Sequence, residues 1–206
     1  MRVWETMSAG TFVRGAQAAA IMAVLALLSG CGAGKASSDT FALSAAAEIA
    51  GPSARNRQIL VPEPTALKAL DSEQVVIRVT PSEIQYLSQA RWNDRLPKMV
   101  QSKLVEAFEN TGKLGGVGRP GEGLAIDYQV VTDIRAFDIQ ASGGNHAHVE
   151  ISVKILNDRN GTVKAQQVFS ADAAASGADN ASFIAALDVA FAKATAEIVG
   201  WTLKSI

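Results

Sequence analysis

The spacing of hydrophobic residues changes several times along this chain, and each spacing predicts an element. An almost unbroken apolar run fills residues 16–28, after which hydrophobic positions thin out until Val75. Val75-Val76-Ile77-Arg78-Val79 is β-branched and closed by Thr80-Pro81, which predicts a strand. Trp92, Leu96, Met99, Val100, Leu104, Ala107 and Phe108 then recur at three- and four-residue spacing, lining one face of an amphipathic helix. Asn93 or Asp94 is the expected cap. With Asp94 in that role Pro97 falls in the first turn, where its missing N–H costs little, and Gly112 supplies the stop.

Three alternating segments follow. In the first, Leu124, Ile126, Tyr128, Val130 and Ile134 oppose Asp127, Gln129, Asp133 and Arg135; in the second, Val149, Ile151, Val153 and Ile155 oppose His148, Glu150, Ser152 and Lys154. Residues 157–161, Asn-Asp-Arg-Asn-Gly, form a turn signal. The third segment sets Val163, Ala165 and Phe169 against Lys164, Gln166 and Ser170. A closing helix starts near Asp179 or Asn180 and carries Phe183, Ile184, Leu187, Phe191, Ala194, Ile198 and Trp201 along one side. Upstream, Phe41-Ala42-Leu43 reads as a short edge strand, and residues 50–69, with Pro52, Pro62 and Pro64, read as extended coil. The predicted fold is α+β: a two-layer sandwich of a mainly antiparallel sheet with two helices on one face, in the order β-α-β-β-β-β-α, its other face polar.

The N-terminal apolar run changes the picture from fold to location. Arg2 and Arg14 precede it, it falls short of the roughly 20 residues of a membrane span, and it ends in Leu28-Ser29-Gly30-Cys31. That tetrapeptide resembles a lipobox: small residues give a peptidase access to the bond between Gly30 and Cys31, and the thiol is the nucleophile that accepts diacylglycerol. Several palmitate-type chains on one residue anchor firmly, since each buried methylene contributes about 0.8 kcal/mol. The expected organisation is a removed signal over 1–30, a lipidated flexible tether over 31–40 and a single domain over 41–206. Gly32 rather than aspartate after Cys31 points, by sorting analogy, to the outer membrane on its periplasmic face.

Charge and candidate chemistry narrow the function class. The net charge is -1, and loss of Arg2, Arg14 and Glu5 with the signal makes it -2, which argues against nucleic-acid binding. The single cysteine, once lipidated, leaves no disulfide to form. No nucleophile–base arrangement, Gly-x-Ser-x-Gly turn or P-loop is present, so the reading is a non-enzyme without a cofactor. His146, His148 and Glu150 alternate on one strand and form the only metal-like constellation, too few ligands for a zinc site without further donors, so no metal is expected. Trp92 reads as core rather than recognition aromatic. Tyr86, Arg91 and Arg95 are the candidate partner contacts; packing for Tyr86 and an ordinary solvated helix start for the two arginines are the alternatives.

Three motifs carry a family resemblance: residues 62–67 (Pro-Glu-Pro-Thr-Ala-Leu), residues 92–97 (Trp-Asn-Asp-Arg-Leu-Pro) and residues 104–112 (Leu-Val-Glu-Ala-Phe-Glu-Asn-Thr-Gly). With residues 127–130 and 133–137 they are similar to the ABC-type transport auxiliary lipoprotein family across essentially the whole mature chain. The resemblance implies a periplasm-facing lipoprotein that partners an MCE-domain protein and an ABC transporter permease and ATPase moving lipids or other apolar molecules. It makes a homo-oligomer conceivable. Two other functions stay open: a carrier that holds a phospholipid itself between sheet and helices, and a stand-alone structural envelope lipoprotein.

Overall fold

The computed structural model describes residues 38–44 and 49–206. Gly30 and Cys31, the signal and most of the tether lie outside them. In chain order the elements are β1 (Asp39–Phe41), β2 (Ala54–Leu60), β3 (Thr65–Ala66), β4 (Gln74–Thr80), β5 (Glu83–Trp92), α1 (Leu96–Asn110), β6 (Leu114–Gly118), β7 (Tyr128–Gln140), β8 (His146–Asn157), β9 (Val163–Ala174) and α2 (Asn180–Ser205). They build the α+β sandwich, with all nine strands in one sheet. Four strands lie between the helices, the number in the predicted order, although alternation identifies only three of them, and five rather than one precede α1.

The long pairings are antiparallel: β7 with β8 and β8 with β9, the meander read from alternation. Its first strand begins at Tyr128, so Leu124 and Ile126 fall in the preceding loop and Leu124 is exposed. A register shift between Ile134 and Ala136 puts one extra residue into β7. The core side therefore passes from even residues, Val130 and Ile134, to odd ones, Phe137 and Ile139, and all four are buried.

The other edge of β7 is paired in three instalments. β2 meets it at Tyr128 and Gln129, β3 at Asp133 and Ile134, and β4 at Asp138–Gln140, all parallel. Residues 50–69 are thus not coil, as expected, but contain two strands of an interrupted edge run. Pro62 and Pro64, which have no N–H to give a ladder, fall between β2 and β3. β6 went unread because it is Leu-Gly-Gly-Val-Gly, a composition depleted in strands. It pairs parallel with β2, and Gly115 is needed there because a Cβ would strike the carbonyl oxygen of Arg55.

Trp92 closes β5 rather than opening α1, and it is 1% exposed, edge-on to Phe137 at 5.9 Å. α1 starts at Leu96 after an extended Arg95 (φ −55°, ψ 134°), so Asp94 is not its cap; the Asp94 Oδ1 instead accepts the Arg95 N–H at 2.8 Å. Pro97 does fall in the first turn, and Gly112 at φ +59° follows the last one. The Gln101 side chain donates to the Val61 carbonyl at 2.9 Å and ties α1 to the end of β2. α2 starts where expected and is capped by Asp179, which accepts the Ser182 N–H at 3.0 Å and its hydroxyl at 2.7 Å. These bonds favour the charged carboxylate and hold Asp179 below the usual aspartate range. α2 lies across β7, β8 and β9, and Phe137 meets Phe191 at 5.8 Å at the core's centre.

Two irregularities sit on the β4–β5 hairpin. Gln74 pairs with Arg91 but Val76 pairs with Tyr86, so residues 87–90 bulge out, and Gln89 adopts φ +58°. Asp138, opposite Val76, is 0% exposed. Its Oδ2 accepts Arg78 Nε at 3.1 Å and Nη2 at 2.9 Å, while Oδ1 has no partner. Removing the cation leaves a buried uncompensated charge, so Arg78→Ala should cost about 3 kcal/mol in urea unfolding, and Arg78→Met with Asp138→Leu should cost less. Gln89→Gly should raise stability by about 1 kcal/mol in the same assay, by relieving left-handed backbone cost; a loss would mean the Gln89 side chain makes a stabilising contact.

Candidate functional site

Edge and face exposure decide what this sheet can offer a partner. On β5, Ile84 and Tyr86 alternate with Glu83 and Gln85, so both apolar side chains share one face. They lie opposite Arg78 and Val76 of β4, which pair in turn with Gln140 and Asp138 of β7. Ile84 is 37% and Tyr86 41% exposed. Tyr86 therefore presents a surface instead of packing down, and Ile84 extends it. Ile84 was missed as a candidate although the two-residue alternation from Glu83 to Tyr86 carries the signal. The Arg78–Asp138 pair anchors this half of the hairpin to β7, and no sequence spacing announces it, because the partners are sixty residues apart.

Arg91 and Arg95 do not join that patch. They stand beyond the bulge at the other end of β5, and each already meets carboxylates. Arg91 donates to Thr40 Oγ1 at 3.3 Å and lies 3.9 Å from Glu73. Arg95 bonds Asp71, with Glu63 at 3.1 Å, so one guanidinium joins two loops to the start of α1. The hydrogen bonds that Arg95 donates to Asp71 push its guanidinium above its ordinary range. Beside it Lys98 donates to Asp94 at 2.8 Å, which lowers the aspartate and raises the lysine. The Asp94–Lys98 pair borders a groove of about 310 Å³ between residues 42–43 and α1. These are chiefly exposed pairs that position loops, each weak by itself.

His146, His148 and Glu150 share the polar sheet face as the alternation predicts, but each has its own neighbour. His146 Nδ1 lies 2.9 Å from the Gly144 carbonyl, His148 Nδ1 2.8 Å from Asp172 Oδ1, and Glu150 3.7 Å from Arg135. Among the described residues no three His, Cys, Asp or Glu side chains converge as a metal site. Nor is any described helix long and apolar enough to cross a membrane. Among the described residues β1, β6 and β9 each pair on one side only: β1 with β5, β6 with β2, and β9 with β8. Beside β9 a groove of about 390 Å³ is lined by Gln167, Phe169, Glu197, Trp201 and Lys204, among others.

With this geometry in view, comparison with known proteins is informative. Protein XCC0632 from Xanthomonas campestris, of the DUF330 family, superposes with a TM-score of 0.77 at 29% identity, covering 82% of this chain and 96% of that one. A second solved structure, of an uncharacterized protein, shares the fold with a TM-score of 0.62 at 13% identity, covering 80% of this chain and 97% of its own. Protein bll6063 of Bradyrhizobium diazoefficiens is 30% identical over 161 residues, 76% of this chain but 42% of that protein, so the chain spans less than half of that relative's length. The family model for the ABC-type transport auxiliary lipoprotein component matches residues 41–199, which takes in every element from Phe41 at the end of β1 to most of α2, and this chain belongs to that family.

Proposed function

We propose that the protein is the lipid-anchored docking component of an ABC transport system in the cell envelope, held through Cys31 at the outer membrane and facing the periplasm. The observation that supports this reading is the family match beginning at residue 41, ten residues after Cys31. Family membership implies a non-enzymatic role beside an ABC transporter. An MCE-domain protein, with the permease and ATPase behind it, is the partner proposed. Ile84 and Tyr86 are the proposed contact patch, since exposed aromatic and branched side chains beside a fixed arginine have the composition of interface anchors. Arg91 and Arg95 support that surface by fixing the loops at its far end.

The carrier reading has less support. Trp92, Phe108, Phe137 and Phe191 fill the space between sheet and helices and are at most 1% exposed. Three described grooves, of about 220, 310 and 390 Å³, lie below or near the low end of drug-sized sites, about 300–1,000 Å³.

Cys31→Ser should abolish acylation, seen as loss of the diacylglyceryl mass, and release the protein from the membrane fraction; a variant that still sediments with membranes at unchanged mass would sink the anchor. Cross-linking followed by affinity recovery from native membranes should yield an MCE-domain or ABC transporter subunit. Ile84→Ser with Tyr86→Ala should lower that yield about tenfold, the loss of about 1.4 kcal/mol expected for one interface anchor. Recovery of other envelope proteins but no transporter component from the wild type defeats the proposal.

A further inference from the structure

On the polar face of the meander the side chains form a grid, because strand partners share a face and residues two apart along one strand do too. Ser152 of β8 stands at its centre. Asp133 of β7 lies opposite it, and Lys154 and Glu150 flank it two residues away on its own strand. Serine is the smallest of these, and the face dips there into a depression of about 220 Å³, bordered by Thr65, Asp133, Arg135, Lys154 and Gln166 among others. Ser152, 4% exposed, is its floor. Among the described residues the Ser152 hydroxyl bonds no protein group, so its donor and its acceptor sites are open to whatever fills the depression.

Charge is separated across this space. At one end Lys154 faces Gln166 of β9, and among the described residues no carboxylate stands within ion-pair range of its ammonium. At the other end Asp133 Oδ1 accepts the Thr65 hydroxyl at 2.7 Å, which leaves Oδ2, 3.7 Å from Arg135 Nε. Arg135 also lies 3.7 Å from Glu150, so one guanidinium serves two carboxylates. One end thus has a cation to spare and the other a carboxylate, and the protein does not join them. An anion alone would meet Asp133 and Glu150, and a cation alone would meet Lys154. A molecule that carries both charges finds a partner at each end. Ser152 and Asp133 share one rung of the ladder, with Cβ atoms about 5 Å apart, so the two charges of such a molecule must stand close together, as in an α-amino acid.

We infer that the depression over Ser152 binds a small zwitterion of the α-amino-acid type. Lys154, Gln166 and the Ser152 hydroxyl hold its carboxylate, and Asp133 Oδ2 accepts from its ammonium. At about 220 Å³ the space is smaller than the low end of drug-sized sites, about 300 Å³, so it suits a molecule of glycine size and not a lipid. The inference does not depend on the docking role or on how the protein is anchored.

Glycine titrated into the full-length protein in detergent micelles should shift the amide resonances of Asp133, Ser152 and Lys154 saturably, with a dissociation constant in the millimolar range. Acetate and methylammonium each carry only one of the two charges and should bind about tenfold more weakly, the effect of one charge-assisted hydrogen bond. Lys154→Met, at an exposed position, should weaken glycine about tenfold, and Ser152→Ala about threefold. Asp133→Asn should weaken glycine without weakening acetate, a split that a general loss of structure does not produce. Absence of a saturable shift, acetate binding as tightly as glycine, an unchanged dissociation constant in Lys154→Met, or equal losses for glycine and acetate in Asp133→Asn each overturns the inference.

Discussion

A strand buried in the middle of a sheet must find partners for its N–H and C=O groups along both edges, and in this protein that demand falls on β7. One edge is satisfied by β8 over its whole length. The other has no single long partner. It is served in turn by β2, β3 and β4, three short parallel strands laid end to end along it. Unpaired backbone groups at that depth would cost more than the two prolines and the loops between instalments, so the chain from 54 to 80 runs alongside β7 wherever its sequence allows.

This arrangement explains the irregularities elsewhere. A strand held on both edges cannot drift, so the extra residue before Ala136 turns its remaining side chains over, bringing Phe137 and Ile139 into the core and sending Asp138 to the other face. There Arg78 meets the carboxylate and fixes the β4–β5 hairpin on β7. The bulge over residues 87–90 frees the rest of β5 to turn toward β1, and Gln89 bears the left-handed conformation that the turn needs. The exposed Ile84–Tyr86 face and the closely packed centre therefore follow from one constraint. Among the described residues the space between sheet and helices is filled by Trp92, Phe108, Phe137 and Phe191.

Elements with a strong period were legible in advance. The β8 and β9 strands, the apolar stripes of both helices, the start of α2 near Asp179, Pro97 in a first turn and the stop at Gly112 all rest on local spacing or local chemistry. The errors came where a distant partner overruled a local signal. Trp92 fits the helical spacing, yet β1 and Glu73 draw it into a strand, its N–H bonding the Glu73 carbonyl. Gly115 and Gly116 look like loop, yet they allow β6 to approach β2 closely. Among the candidate contacts, Tyr86 is displayed, whereas Arg91 and Arg95 are held by carboxylates from segments that no local pattern could place beside them.

By itself, then, the order of residues determined the α+β class, which faces are greasy, where the first helix stops, and an N-terminal layout that points to the envelope, because each depends on side chains within a few positions of one another. Tertiary structure alone decided that the proline-rich stretch becomes sheet, that Asp138 is buried against Arg78, and that β9, among the described residues, pairs with β8 alone. Those outcomes depend on which strands become neighbours, and neighbourhood across sixty or more residues leaves no period in the chain.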